Sequence, residues 1–147
     1  MRERDENCPY CGDIETFPYG KWICDLPMSR VYLFHEQSKP GRCILGCREH
    51  VNDITDLTAE ERNAYFADLS TVSQAIQNLY HPGKVNYGSY YDTGHHLHIH
   101  IVPKYAGQDE WQDVFTMNPA KVMLKDVDSE KMTEDLRAEI ARLTAEE

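Results

Sequence analysis

No apolar run in this 147-residue chain approaches the length of a membrane span, so nothing in it reads as a membrane-crossing helix. The first residues, Met1-Arg2-Glu3-Arg4-Asp5-Glu6, are charged and lack the apolar segment of an export signal, which leads to the expectation of a cytoplasmic protein. Basic charge is scarce. Fifteen Lys and Arg stand against 25 Asp and Glu, a net charge of −10, and the accumulated positive surface that a nucleic-acid polymer requires is missing. A small anionic ligand stays open, provided histidines, backbone amides or a bound cation supply local help. Cysteine is too sparse and too odd in number for a disulfide framework. Five thiols without an export signal fit reduced cysteines or metal ligands. Internal repeats and low-complexity segments are also lacking. What remains is one domain, 41% apolar, long enough to bury a proper core.

The residues that dominate the reading are His96-Leu97-His98-Ile99-His100-Ile101-Val102, preceded by Gly94 and His95 and followed by Pro103. Imidazole and aliphatic side chains alternate with a period of two. In an extended strand the three imidazoles share one face and Leu97, Ile99 and Ile101 the other, with Pro103 expected to end the strand. A half-buried strand with an incidental polar face would place Thr, Lys or Glu at such positions as readily as histidine. Two chemistries fit the pattern. Three imidazoles at i, i+2 and i+4 can hold a catalytic metal with an open position. Alternatively, one imidazole is a nucleophile whose neighbours set its tautomer.

Cys8-Pro9-Tyr10-Cys11-Gly12 is a compact C-x-x-C turn, half of a tetrahedral zinc site; without a strand before it and a long helix after it, it is a poorer fit to a redox pair. Lys21 to Leu26, Arg30 to Phe34 and Arg42 to Cys47 read as three strands, with Gln37-Ser38-Lys39-Pro40-Gly41 as a turn. Cys43 and Cys47 point the same way along their strand and could complete a four-thiolate site, or His50 and a triad histidine could complete it instead. Composition slightly favours the cysteines. Thr58-Ala59-Glu60-Glu61 is a capping-box signature opening a helix to Tyr80, with Phe66, Leu69, Val72 or Ser73, Ile76 and Leu79 or Tyr80 as its stripe, and His81-Pro82-Gly83 ends it. Lys84 to Tyr90 reads as a strand that turns back through Tyr91-Asp92-Thr93-Gly94 into the histidines, bringing Asn86 and Thr93 near them. Asp128 to Leu143 reads as a second helix with Met132, Leu136, Ile140 and Leu143 as a narrow stripe, suited to a partner subunit or to the main body.

The run His-φ-His-φ-His-φ-φ, with φ apolar, resembles the histidine-triad (HIT) superfamily of nucleotide hydrolases and transferases. The likeness spans about Cys8 to Tyr105 and takes in Gly41 with its strand, His50, the helix, Val85-Asn86-Tyr87-Gly88-Ser89 and His96 to Lys104 in the family's order. It implies a single HIT-like domain over residues 1–147, with its core at about 8–105 and a C-terminal extension at 106–147. The implied fold is α+β: an antiparallel sheet of about five strands, one main helix packed on it and a C-terminal helix. It implies that His98 attacks the α-phosphorus of a nucleoside phosphoramidate or dinucleoside polyphosphate to give a nucleotidyl-histidine, that His100 hydrogen-bonds phosphate or leaving-group atoms, and that Asn86 and Thr93 contact phosphate. In the zinc-containing branch the ligands correspond to Cys8, Cys11, His50 and His96, a closed structural zinc site that displaces Cys43 and Cys47 from the assignment. The family also implies a homodimer, with the segment around Trp111 reaching the partner's site. Departures are visible: Asp92 replaces a glutamine common before the triad, Phe34 stands at a ribose-contacting position, with His35 and Glu36 beside it as substitutes, and Arg42 stands where relatives often carry histidine. Two other readings remain, a metal-dependent hydrolase using all three triad histidines and a nucleotide-binding regulatory protein with little turnover.

Overall fold

The computed structural model of the chain describes residues 2–146. Five strands, β1 (Gly20–Asp25), β2 (Ser29–Phe34), β3 (Cys43–Cys47), β4 (Lys84–Gly88) and β5 (His98–Lys104), form one antiparallel sheet in the order β1-β2-β3-β5-β4. Helix α1 (Ala59–Tyr80) links β3 to β4, and α2 (Ser129–Ala145) closes the described chain. The architecture is the expected α+β one. Among the described residues, no helix is long and apolar enough to cross a membrane.

The register divides the sheet into two faces. Residues paired across strands share a face, so Leu33, Cys43 and Ile101 lie together, as do Val31, Leu45 and Ile99. These side chains meet Tyr65, Val72, Ala75 and Ile76 of α1 and Leu136 and Ile140 of α2 in the main core. Each buried aliphatic side chain of this kind contributes about 1.5–3 kcal/mol.

Helix α1 starts where its capping box predicts. The Glu61 backbone N–H donates to Thr58 Oγ1 at 3.1 Å, and the Thr58 N–H donates to Glu61 Oε1 at 2.8 Å, an arrangement whose loss costs about 1 kcal/mol. It ends at His81, which takes the left-handed conformation (φ 52°) just before Pro82. One position of the expected stripe is wrong by a residue. Phe66 is exposed and its neighbour Tyr65 occupies the core, its hydroxyl donating to the Leu45 carbonyl at 2.8 Å. Helix α2 packs on α1 and β1 of its own chain, and Arg137 Nε donates to the Ile23 carbonyl at 2.7 Å. The main body thus takes its apolar stripe.

Pro103 does not end β5, which runs on to Lys104. The Lys104 carbonyl faces β4, where it accepts from Gly83 N–H. Because successive residues of a strand point their amides to opposite sides, the missing N–H of Pro103 lies on the β3 side, beyond the last β3 pair at Cys43 and Ile101. No ladder bond is lost there. β4 is shorter than its aromatic sequence suggests, stopping at Gly88, with Tyr90 and Tyr91 exposed.

Candidate active site and metal cluster

The face opposite the helices carries the histidines. Gly46 pairs with His98, and Ile44 and Gly88 pair with His100. His96 lies two residues before β5 begins, so the triad straddles the strand's start instead of sitting wholly within it. An aromatic cluster from the N-terminal arm covers this side. Phe17 stacks on Tyr32 with centroids 3.7 Å apart, and the Tyr10 ring lies against His96 (5.2 Å) and His98 (4.8 Å).

Hydrogen bonds define the protonation of each ring. A backbone carbonyl only accepts. His98 Nδ1–H therefore donates to the His96 carbonyl at 2.7 Å, which leaves Nε2 with its lone pair. Likewise His96 Nε2–H donates to the Cys47 carbonyl at 2.7 Å, leaving Nδ1 as the ligating atom. His100 is the reverse of His98. Arg42 Nη2 donates to its Nδ1 at 3.1 Å, which puts the His100 proton on Nε2. Burial, then the Arg42 cation, then His98 push the His100 imidazole down to about 3; burial also lowers His98, against the carbonyl that supports it. Both rings are neutral at pH 7.

His96 Nδ1 belongs to a separate cluster. Cys8 Sγ lies 3.4 Å from it, Cys11 Sγ 3.6 Å and His50 Nδ1 3.0 Å, and Cys11 Sγ is 3.2 Å from His50 Nδ1. The four ligand atoms all lie within 4.8 Å of one another. A tetrahedral zinc ion with bonds of about 2.0–2.3 Å separates its ligand atoms by about 3.3–3.8 Å. The donor set fits zinc, and the His96 Nε2–H bond to a carbonyl is the outer contact that orients a metal-bound imidazole. Cys43 and Cys47 do not join. Both thiols lie on the helix side of the sheet, in the main core, so composition pointed to the wrong pair.

The chain's own C-terminal segment roofs the other end of the face. Lys39 Nζ donates to the Asp109 carbonyl at 2.9 Å, Lys104 Nζ to the carbonyls of Glu110 (2.6 Å) and Asp113, and Arg42 to those of Thr116 (3.1 Å) and Met117 (2.9 Å). A cavity of about 500 Å³ remains beside it, lined by Lys39, Arg42, Glu110, Phe115 and Lys121 among others. Trp111 packs on Gly83 and holds Lys84 Nζ 4.0 Å from its ring centroid, contacts within its own chain.

The remaining expected residues fall unequally. Asn86 pairs with Val102, on the histidine face one step from His100, and is half-buried. Thr93 and Asp92 are exposed in the loop before the triad, and no hydrogen bond ties Thr93 to the histidines among the described residues. Ser89, in that same loop, donates from Oγ to the His98 carbonyl at 2.7 Å. Glu36 is not a free acceptor. Its buried carboxylate takes hydrogen bonds from Ser38 N and Oγ, Lys121 N and Val122 N; burial works to raise its pKa, and these bonds outweigh it and hold it below the usual carboxylate range. Tyr10 and Phe115 escaped the sequence reading. The available signal was glycine: a Cβ at Gly46 would meet Tyr10, and one at Gly88 would meet Phe115.

A sheet with histidines of opposite tautomer beside a Cys₂His₂ cluster defines a class. The HIT domain profile matches residues 22–107, and the chain belongs to this family. Family membership supports a nucleotide-binding or hydrolase-type function. Among solved structures it is similar to a histidine triad protein from Bradyrhizobium japonicum, with 21% identity, a TM-score of 0.78 and coverage of 88% of this chain and 96% of that one. It is also similar to a Zn-bound histidine triad family protein from Mycobacterium smegmatis (21%, TM-score 0.70, 96% and 98%) and to a hypothetical histidine triad nucleotide-binding protein from Sulfolobus tokodaii (17%, 0.72, 92% and 93%). At these identities the likeness establishes the fold. No curated protein matches the chain.

Proposed function

We propose that the protein is a nucleotide hydrolase or transferase in which His98 Nε2 attacks the α-phosphorus of a nucleoside phosphoramidate or dinucleoside polyphosphate, giving a covalent nucleotidyl-histidine that water cleaves. The observation that carries this reading is the His98 Nδ1–H bond to the His96 carbonyl. It commits one nitrogen as a donor and leaves the other as a neutral nucleophile, the state covalent catalysis requires. His100 Nε2–H and the Asn86 amide are the donors that meet charge developing on the phosphoryl group. Thr93 would have to move with its loop to join them. The zinc ion fitted by Cys8, Cys11, His50 and His96 has all positions filled by protein, and its contribution is to hold the N-terminal arm against the sheet. A small nucleotide as ligand, a homodimer as assembly and the cytoplasm as location complete the proposal.

A metal-dependent reaction on all three triad histidines has little geometric support: His96 Nδ1 faces the cysteines, while His98 Nδ1 and His100 Nδ1 meet a carbonyl and a guanidinium. The test is mass spectrometry after mixing the protein with an activated ester of AMP. An AMP adduct on wild type that maps to His98 and is missing from His98→Ala is the expected result. An adduct that persists in His98→Ala, or no adduct on wild type, refutes the assignment.

A further inference from the structure

Among the described residues, Arg42 is the one buried cation in direct contact with a triad ring. It is 1% exposed, its guanidinium carbon lies 3.9 Å from the Phe34 ring centroid and 5.1 Å from that of Phe115, and the Thr116 and Met117 carbonyls take its Nη protons. Its Nε has no hydrogen-bond partner among the described residues. A guanidinium carries five donors and no acceptor. The 3.1 Å contact to His100 Nδ1 therefore permits one state of that ring. A proton on Nδ1 would set N–H against N–H, and an imidazolium would do so beside a fixed positive charge. The groups that face His100 are Arg42, His98 and the rings of Phe34 and Phe115, and no carboxylate among the described residues hydrogen-bonds it.

We infer that Arg42 is a positioning residue that locks His100 as a neutral Nε2–H donor, and that the site therefore favours substrates whose leaving group departs as an anion, a phosphate or polyphosphate oxygen, over those that must expel an amine. The inference rests on the reading of His98 as nucleophile and selects between the two substrate classes left open there.

The balance of the step supplies the reason. Attack forms a bond from His98 Nε2 to phosphorus and breaks the bond from phosphorus to the leaving atom, which keeps the electron pair. A phosphate oxygen is stable with that charge and needs only the hydrogen bond from His100 Nε2, whose proton stays in place. Arg42 polarises that donor through Nδ1. An alkylamine instead has to gain a proton. His100 could give one only by becoming an imidazolate or by drawing a proton from Arg42, whose guanidinium pKa burial lowers to about 10 and which still holds its charge at pH 7. A neutral imidazole acting as hydrogen-bond electrophile and not as acid is chemically sound. In the second step water forms its bond to phosphorus, the bond to Nε2 breaks, the electron pair returns to His98, and the proton of water passes to solvent.

Two measurements decide the matter. The first is long-range ¹H–¹⁵N correlation spectroscopy of the labelled, substrate-free protein at pH 7. The expected result is His100 protonated on Nε2 alone and His98 on Nδ1 alone, with Arg42→Lys, still donor-only, keeping the His100 signature and Arg42→Gln, whose amide can also accept, mixing its tautomers. His100 found as Nδ1–H or as imidazolium in wild type overturns the lock whether or not any variant folds. The second compares kcat/KM for diadenosine triphosphate and for the N-propyl phosphoramidate of AMP. The anhydride should exceed the amidate by about 10²-fold, the scale of a missing general acid, and Arg42→Gln should narrow that ratio. Equal turnover of the two, with the His98 adduct present, overturns the substrate preference. If wild type forms no adduct, the nucleophile reading falls and the substrate preference with it, while the tautomer measurement still decides the lock.

Discussion

Substituting Gly46 by alanine should damage both stability and the site, because the space its side chain would need is filled by Tyr10. An ideal Cβ at Gly46 falls 2.9 Å from Tyr10 Cδ1 and 3.5 Å from Cε1. Carbon atoms in contact sit about 3.5–4.0 Å apart, so the ring has to withdraw by roughly 0.6–1 Å. It has little room to do so. Phe17 lies 5.0 Å from its centroid, and His96 and His98 are stacked on it at 5.2 and 4.8 Å. Overpacking of this kind costs about 1–3 kcal/mol, which in a chain of this size lowers Tm by about 2–12 °C at roughly 2–4 °C per kcal/mol. Any share of the shift passed to His98 misplaces the proposed nucleophile, where about 1 Å can cost up to about 10²-fold in rate. The assay is thermal unfolding of wild type, Gly46→Ala, Tyr10→Ala and the double variant, all with zinc present. Removing the ring removes the clash, so the Gly46→Ala penalty should vanish in the Tyr10→Ala background. Penalties that simply add, or no penalty at all, refute the close packing of Tyr10 over β3 and His98.

Metal analysis of the purified protein should give one zinc per chain, reduced well below that in Cys11→Ser and His50→Ala and unchanged in Cys43→Ser; loss of zinc in Cys43→Ser would restore the four-thiolate site. Chelation should lower Tm, since a metal at a thousand times its Kd contributes about 4 kcal/mol. The depressed His100 pKa also predicts an acid sensitivity. The unfolded chain binds a proton at this residue as pH falls below about 6.5, whereas the folded chain resists it down to about 3. Protons then favour the unfolded state throughout that window, so the stability contributed above pH 6.5 is lost on acidification toward 3. The slope of Tm against pH should be shallower in His100→Asn, and an unchanged slope would show that His100 is not held neutral.

Periodic signals read well from the sequence because the backbone imposes them locally. Alternation around His98 and His100 placed two side-chain classes on two faces, and the spacing of Thr58 and Glu61 set the start of α1. The same signals blur by one residue where they lack an anchor. A three- and four-residue stripe is satisfied by Phe66 or by Tyr65, and only contact with β3 selects Tyr65. The Cys-x-x-Cys turn announced half of a metal site. For its other half composition leaned slightly toward Cys43 and Cys47 and the family resemblance toward His50 and His96; the sheet register turns Cys43 and Cys47 into the main core.

From its own residues, then, the chain determined its strands, its helices and the face that bears the imidazoles, all properties of spacing along the backbone. The tertiary structure alone decided which nitrogen of each imidazole holds a proton, how closely Cys8 and Cys11 approach His96, and how Arg42 and residues 106–123 close over the site. The His98 tautomer is set two residues away, by the His96 carbonyl, once the strand has its shape; the other outcomes depend on pairings between segments 40 to 90 residues apart, such as Cys8 with His96 and Arg42 with Thr116. No local pattern encodes such a pairing; it exists once register and packing have brought the partners within hydrogen-bonding distance.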